Sequence, residues 1–358
     1  MPENISVSSD LEQFLKKKVK TSAAKFPRRD ARYFEHYTSI KQRLADKYYA
    51  VTGAALAQSD GDRYTKHDIS HVDDVIQTAG RMLGFGHDNN SPAYKLLHPY
   101  EVFVLLVAIL LHDAGNAIGR KKHETKAAEI LREVAPAAGL SALEQRIISS
   151  IAQAHGGKME DGNEDTITGL MKDPEPNIGD IKIHAWRLAA LVRLADELSE
   201  NHTRADEVAI ESAGTPDLSL LANYYCLVIN PKIDFIGKSV HLVFDVEKQL
   251  LPRVFRIPKD GGGMEDIMFV DYIARRLEKG ERERKYCNRF LAGFAGYDRI
   301  RAKLVIMENG REIDSVAVDL EEVGYPGLSK SVKALQPRFD ACVLRDQHCK
   351  DAVEDQVT

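Results

Sequence analysis

Cysteine is scarce in this chain. Its four residues, Cys226, Cys287, Cys342 and Cys349, show no Cys-x-x-Cys spacing, which excludes a disulfide framework as the organising principle. An excess of positive charge is also missing. The formal net charge is -5, whereas a dedicated duplex-DNA binder normally presents a strongly basic face. A small, highly phosphorylated substrate held in a local basic pocket stays compatible with that balance. No apolar run approaches the roughly 18 residues of a membrane span; the longest, Val102 to Leu111, is about half that. The N-terminal MPENISVSSDLEQFLKKKVK lacks the apolar segment of a secretory signal. Internal repeats and low-complexity tracts are absent too. These absences lead to the expectation of a cytoplasmic protein with neither a membrane nor duplex DNA as partner.

What is present is ordinary for a globular chain: 358 residues, 44% hydrophobic and 29% charged, enough for one large domain or two modest ones. The expected fold class is mainly α, an all-helical domain followed by a smaller α+β lobe. Three zones can be read. Residues 1-60 are a polar helical segment, with LEQFLKKKVK and YTSIKQRLADKYYAV amphipathic. Residues 61-215 carry long helical patterns. Ser70 and Asp73 resemble a capping box before the stripe Val72, Val75, Ile76, Ala79, Met82, Leu83, which Gly84 and Gly86 end. Pro99 can open a helix through EVFVLLVAILLHD, apolar all round and therefore central. Further helices are expected from His123 (HETKAAEILREV), from a Ser141/Glu144 capping box through RIISSIAQAH to Gly156-Gly157, and over IHAWRLAALVRLADELSE.

From residue 216 to 358 the pattern becomes α+β, read as a regulatory or oligomerisation lobe. CLVINPKIDFI and SVHLVFDV read as strands and MEDIMFVDYIARRLEKGERERKYCNRFLAGF as one long helix. RAKLVIMENGREIDSVAVDL reads as a hairpin turning at Asn309-Gly310. Glycines 261-263 and Gly237-Lys238-Ser239 read as loop and turn rather than phosphate loops. KKKVK and RRLEKGERERK read as solvated charge runs. DACVLRDQHCKDAVEDQVT is expected to fray.

His-Asp dipeptides occur three times. His67-Asp68 lies in a polar segment and His87-Asp88 in a GHDNN loop, and both read as solvated. His112-Asp113 is different, because it closes the ten-residue apolar run. A bare carboxylate at the edge of a core is costly, so Asp113 is either paired with an arginine or next to a cation. His71 opens the first apolar stripe. His155 follows Ile151 by four residues and Ile148 by seven, and Asp196 has Val192 and Leu188 below it on the same face. Each has a structural alternative: a hydrogen-bonded core histidine, or an aspartate paired with Arg193. Together they form an imidazole-carboxylate set suited to a divalent metal.

The ordered set His71, His112-Asp113 and Asp196, centred on LLHDAGN, resembles the signature of the HD superfamily of metal-dependent phosphohydrolases over roughly residues 60 to 210. The resemblance implies that these four residues bind a divalent ion (Mn, Mg, Fe, Co, Ni or Zn), with one ion expected and a second compatible. It also makes His123, His155 and Glu124 candidates for the catalytic groups. Two departures stand out: Ala154-His155 replaces the paired histidines common in binuclear members, and Asn116 replaces the last histidine of the HD-x-G-H form of deoxynucleotide triphosphohydrolases. GNAIGRKKHE is similar to HD proteins of bacterial anti-phage conflict loci. Arg120, Lys158, Asn116 and Arg193 are the candidate substrate contacts, since phosphate groups need nearby cations.

Three functions follow as expectations. The first is a hydrolase of nucleotides, foremost (deoxy)nucleoside triphosphates; the second is a phosphodiesterase or nuclease acting on cyclic nucleotides, oligonucleotides or single strands. The third is a non-catalytic nucleotide-sensing module. The expected partner is a nucleotide or other phosphorylated small molecule, and the chain is expected to form a homo-oligomer.

Overall fold

A computed structural model describes residues 9–51, 65–86, 93–119, 122–259, 262–321 and 331–349. They fall into two compact units. The first is built on His67–Ser199, the preceding N-terminal helices and Tyr286–Gly296; the second on Glu200–Lys285 and the chain from Tyr297 onward.

The first unit is helical. Helix α1 (Asp10–Thr21) starts at a Ser9/Glu12 capping box and buries Leu11, Leu15 and Val19, spaced four residues apart, so that one stripe faces inward. Helix α2 (Tyr33–Leu44) runs on into a π-helical turn, Ala45–Tyr49. Helix α3 (Ile69–Met82) is capped by Asp68, whose carboxylate accepts from the Ser70 amide at 2.9 Å. The Ser70/Asp73 capping box is thus replaced, and Asp73 is free to pair elsewhere. Helix α4 (Pro99–Leu111) buries all of its residues, as its uniform apolarity requires. Pro99–Ala117 does have the length and apolarity of a membrane span, contrary to the sequence expectation, but it is enclosed by the unit. Helices α5 (Ala127–Val134), α6 (Ala142–Gln153), α7 (Thr166–Leu170) and α8 (Ala185–Glu197) follow, with a two-residue ribbon, β1 (Asn177–Ile178) and β2 (Ile181–Lys182), before α8.

Buried polar groups set the register of this bundle. Lys41 Nζ on α2 is 2.9 Å from Glu12 on α1 and 2.6 Å from Asp73 on α3, and Tyr37 donates to the same Glu12 at 2.7 Å. Glu144, the capping-box acid of α6, accepts from Tyr33 at 2.9 Å and Tyr100 at 2.8 Å. Glu101 accepts from the His98 and His184 amides, both at 2.8 Å, which joins the starts of α4 and α8. Such groups tolerate burial only in one arrangement, so they favour a unique packing.

The second unit holds α9 (Glu207–Glu211), α10 (Asp217–Val228) and a four-stranded sheet in the order β3-β4-β7-β8. Strands β3 (Ile229–Asp234) and β4 (Ser239–Glu247) are antiparallel; β4 pairs in parallel with β7 (Arg299–Glu308), which turns at Asn309-Gly310 into β8 (Arg311–Glu321). Both turn residues have positive φ, 52° and 71°, as a two-residue hairpin demands. The parallel pair needs a long crossover, and it contains a ribbon of β5 (Val254–Pro258) and β6 (Met264–Met268) followed by helix α11 (Phe269–Leu291).

Several sequence readings change here. Cys226 to Val228 end a helix rather than start a strand, and Met264–Met268 is a strand paired with a β5 that the sequence did not suggest. The glycines at 262 and 263 belong to that ribbon's turn; Gly261 lies outside the described residues. The supposedly fraying end forms α13 (Ala341–His348), preceded by the short α12 (Val332–Leu335), and His348 reaches Asp314 at 3.0 Å. Its buried anchors Ala341 and Leu344 are too few to read as a periodic stripe.

Candidate metal centre

Helix ends converge to build the site. His71 sits in the first turn of α3. Helix α4 stops at Leu111, and the chain turns through His112 and Asp113 into a 3-10 turn, Ala114–Ala117. Gly115 permits that turn, because a Cβ there would strike the backbone carbonyl of His123. His123 opens another 3-10 turn, His123–Lys126, ahead of α5. His155 lies two residues past α6, and Asp196 is in the last turn of α8.

Asp113 stands at the middle, with its two oxygens facing opposite ways. Oδ1 is 3.1 Å from His123 Nε2 and 3.7 Å from His155 Nε2. Oδ2 is 3.5 Å from His112 Nε2 and 3.8 Å from His71 Nε2. Asp196 Oδ1 is 3.1 Å from His71 Nε2 and 3.6 Å from His112 Nε2. Potential ligand atoms fall into two groups, His71/His112/Asp196 and Asp113/His123/His155, each within 4.8 Å. The four residues of the signature are therefore divided between neighbouring groups, and Asp113 joins His123 and His155.

The chemistry of these donors fits a divalent ion. His112 Nδ1 donates to the Ile109 carbonyl and His155 Nδ1 to the Ala152 carbonyl, both at 2.7 Å. Each ring is thereby held with Nε2 turned inward, the atom that a bound ion would take in place of a proton, the usual second-sphere support of a metal-binding histidine. His112 Nε2 is buried without a hydrogen bond among the described residues, a costly state that a coordinated cation would relieve. Burial works against charge on both aspartates, but the surrounding histidines hold each well below the usual carboxylate range. Burial likewise opposes charge on His112, yet Asp113 and Asp196 push it up to about 9; His155 is pushed down to about 4, by burial first and by His112 second. The carboxylates are thus anionic at neutral pH and share charge across the cluster.

Residues around the cluster separate into those that support it and those that lie apart. Glu124 is 3.4 Å from His123 Nδ1, on the side away from Asp113, and can orient that ring. Asn116 is buried; its amide N–H donates to the Asp113 carbonyl at 3.0 Å, and its Oδ1 has no partner among the described residues. Arg193 pairs with Thr166 at 2.9 Å rather than with Asp196, and lies 4.7 Å over the Tyr286 ring. Thr166 in turn donates to the Ala154 carbonyl at 2.8 Å, so Arg193 braces the turn carrying His155. Lys158 is exposed and paired with Glu164 at 2.9 Å. Arg120, His87 and Asp88 lie outside the described residues.

Two members escaped the sequence reading. His67, expected to be solvated, is 9% exposed, with Nε2 3.8 Å from Asp113 Oδ2. Its polar neighbours Lys66 and Asp68 masked it, and because it precedes the N-cap of α3 no helical spacing ties it to His71. Tyr49 had no signal at all. Its hydroxyl donates to the Leu110 carbonyl at 2.8 Å and reaches the Asp113 backbone, where α4 gives way to the His-Asp turn.

Residues 61–236 match the HD-CE family model, a stretch that includes every histidine and aspartate of the cluster. This part of the chain is an HD-type domain. The four residues whose order resembles the HD signature, His71, His112, Asp113 and Asp196, all fall inside this stretch, at the ends of α3, α4 and α8. No curated protein matches the chain. The HD-type domain thus carries a His/Asp cluster that could hold a metal ion.

Proposed function

We propose that the protein is a metal-dependent phosphohydrolase acting on nucleotides, with (deoxy)nucleoside triphosphates the first substrates to test. The observation that carries this reading is Asp113, which forms one three-residue group with His123 and His155 and turns its other oxygen toward His71 and His112 of the neighbouring group, inside an HD-type domain. A divalent ion held there would supply Lewis acidity toward a phosphoryl oxygen and an acidified water.

The chain's own residues divide the remaining work. His71, His112 and Asp196 would hold one ion, and Asp113, His123 and His155 a second. Asp113 fixes the distance between the groups through its two oxygens. Glu124 keeps the His123 ring oriented. His67 stands beside the cluster outside both groups and is the candidate proton donor to the leaving oxygen, a task that suits imidazole near neutral pH. Asn116 offers an amide acceptor beside Asp113.

A second reading, a phosphodiesterase acting on cyclic nucleotides or short oligonucleotides, is favoured by the same pairing of groups, because adjacent ions can stabilise both attacking and leaving oxygens of a phosphodiester. A role in anti-phage defence is compatible with either activity and rests on the resemblance of GNAIGRKKHE alone.

Incubation of metal-replete protein with dNTPs, NTPs, cyclic dinucleotides and short single strands, in Mn or Mg, separates the two. Release of tripolyphosphate, pyrophosphate or phosphate from the triphosphates supports the first reading; cleavage of only the diesters supports the second. Absence of turnover with every substrate, or an Asp113→Ala protein with unchanged metal content and activity, would refute the hydrolase reading.

A further inference from the structure

Residues 13–29 contain seven basic side chains and no acidic one, within a chain whose net charge is -5. Lys16, Lys17, Lys18 and Lys20 lie on α1, Lys25 on the 3-10 turn Ala23–Lys25, and Arg28 and Arg29 on the next turn, Pro27–Arg29. Because α1 turns Leu11, Leu15 and Val19 inward, Lys17 and Lys20 fall on its outer face. Lys17, Lys20, Lys25 and Arg29 are all exposed, and none has a carboxylate partner among the described residues. Elsewhere in the same unit, Lys126, Lys158 and Lys182 pair with Glu129, Glu164 and Glu175. A contiguous set of uncompensated cations repels itself, and an external polyanion relieves that repulsion.

We infer that this face binds single-stranded nucleic acid through its phosphate backbone. Three observations narrow the partner to that class. The apolar stripe of α1 is consumed by the core, so the helix has no face to insert into a lipid surface. Half-buried aromatic rings are interleaved with the cations: the Lys18 amine lies 5.1 Å from the Phe14 ring centre and the Lys16 amine 5.6 Å from that of Phe34. Amines beside aromatic faces are the elements of a stacking surface for unpaired bases. Finally, Arg28 and Arg29 adopt left-handed backbone, with φ of 59° and 55°. Arg28 is anchored to the Gly139 carbonyl and the Tyr33 hydroxyl, while Arg29 stays exposed beside it. A recess of about 400 Å³, bounded by Arg28, Asp30, Arg32, Ala138 and Gly139, adjoins this turn and has room for one nucleotide. The inference is independent of what the metal centre hydrolyses.

The test is fluorescence anisotropy of the full chain with labelled oligo-dT and oligo-U of about 20 nucleotides, a duplex of equal length, and vesicles of neutral and anionic lipid. Single strands should bind, and the logarithm of the affinity should fall with the logarithm of salt at a slope of about -3 for four neutralised phosphates, at roughly 0.7 each. Lys17→Glu/Lys20→Glu/Lys25→Glu/Arg29→Glu should weaken binding at least tenfold with the melting temperature unchanged. The matching glutamine variant serves if charge reversal impairs folding. Absence of binding at low salt, equal affinity in the variants, or a preference for duplex or vesicles overturns the assignment.

Discussion

Asp113 Oδ1 and His123 Nε2 are 3.1 Å apart, although a full 3-10 turn and the loop after it separate them in the chain. The contact joins Asp113 to a histidine outside the His71, His112-Asp113, Asp196 set and completes the second group that could hold an ion. His123→Ala should therefore remove one equivalent of bound metal and leave the ion of His71, His112 and Asp196 in place. Metal analysis after exhaustive dialysis checks this, and an unchanged stoichiometry would show that the second group holds no ion.

Tyr49→Phe removes a buried hydroxyl that holds the end of α4 at the Leu110 carbonyl. The expected cost in stability is about 1 kcal/mol. Metal affinity should weaken by roughly tenfold, as for other second-sphere losses. A competition titration against a chelator measures the affinity, and a lower melting temperature with unaltered affinity would reduce Tyr49 to a packing role.

Gly115→Ala places a methyl group against the His123 backbone carbonyl. The neighbour is backbone and cannot rotate away, so overpacking of about 1–3 kcal/mol is expected. Thermal denaturation and metal content should fall together, because the same shift moves His123 from Asp113.

The Lys41 cluster makes stability depend on acid. Burial works to raise the Glu12 carboxyl, but Lys41, Tyr37 and Ser9 hold it below its ordinary value of 4.5. The folded state thus prefers the carboxylate. This contribution is complete above pH 4.5 and is lost as pH falls through the lower folded value. Asp73 acts in the opposite sense, since burial raises it. Denaturant midpoints measured across this range should show a shallower acid-side loss in Glu12→Gln than in the parent. Lys41→Met, which leaves Glu12 buried without its cation, should destabilise by about 3–5 kcal/mol.

Cys226 is 1% exposed, and burial pushes its thiol up to about 12. It should resist alkylation in the folded protein, whereas exposed Cys342 should react at once. Peptide mapping after brief iodoacetamide treatment distinguishes them; rapid labelling of Cys226 would mean that the second unit opens readily.

The sequence by itself determined the helical character of the first unit and the place of its signature. Unbroken apolarity from Val102 to Leu111 dictates a central helix, and a histidine and an aspartate at its end are costly there unless something binds them. The hairpin at Asn309-Gly310 was legible for an equally local reason, the positive φ its turn requires. Tertiary structure decided the rest. Whether His67 is solvated or faces Asp113, and whether Arg193 meets Asp196 or Thr166, depends on which helix ends meet. The division of the ligands into two groups has the same origin, since Asp113 can face both ways only after α4, α6 and α8 have packed. Strand β5 and helix α13 escaped because their buried positions are few, and pairing across the chain stabilises them more than local pattern does.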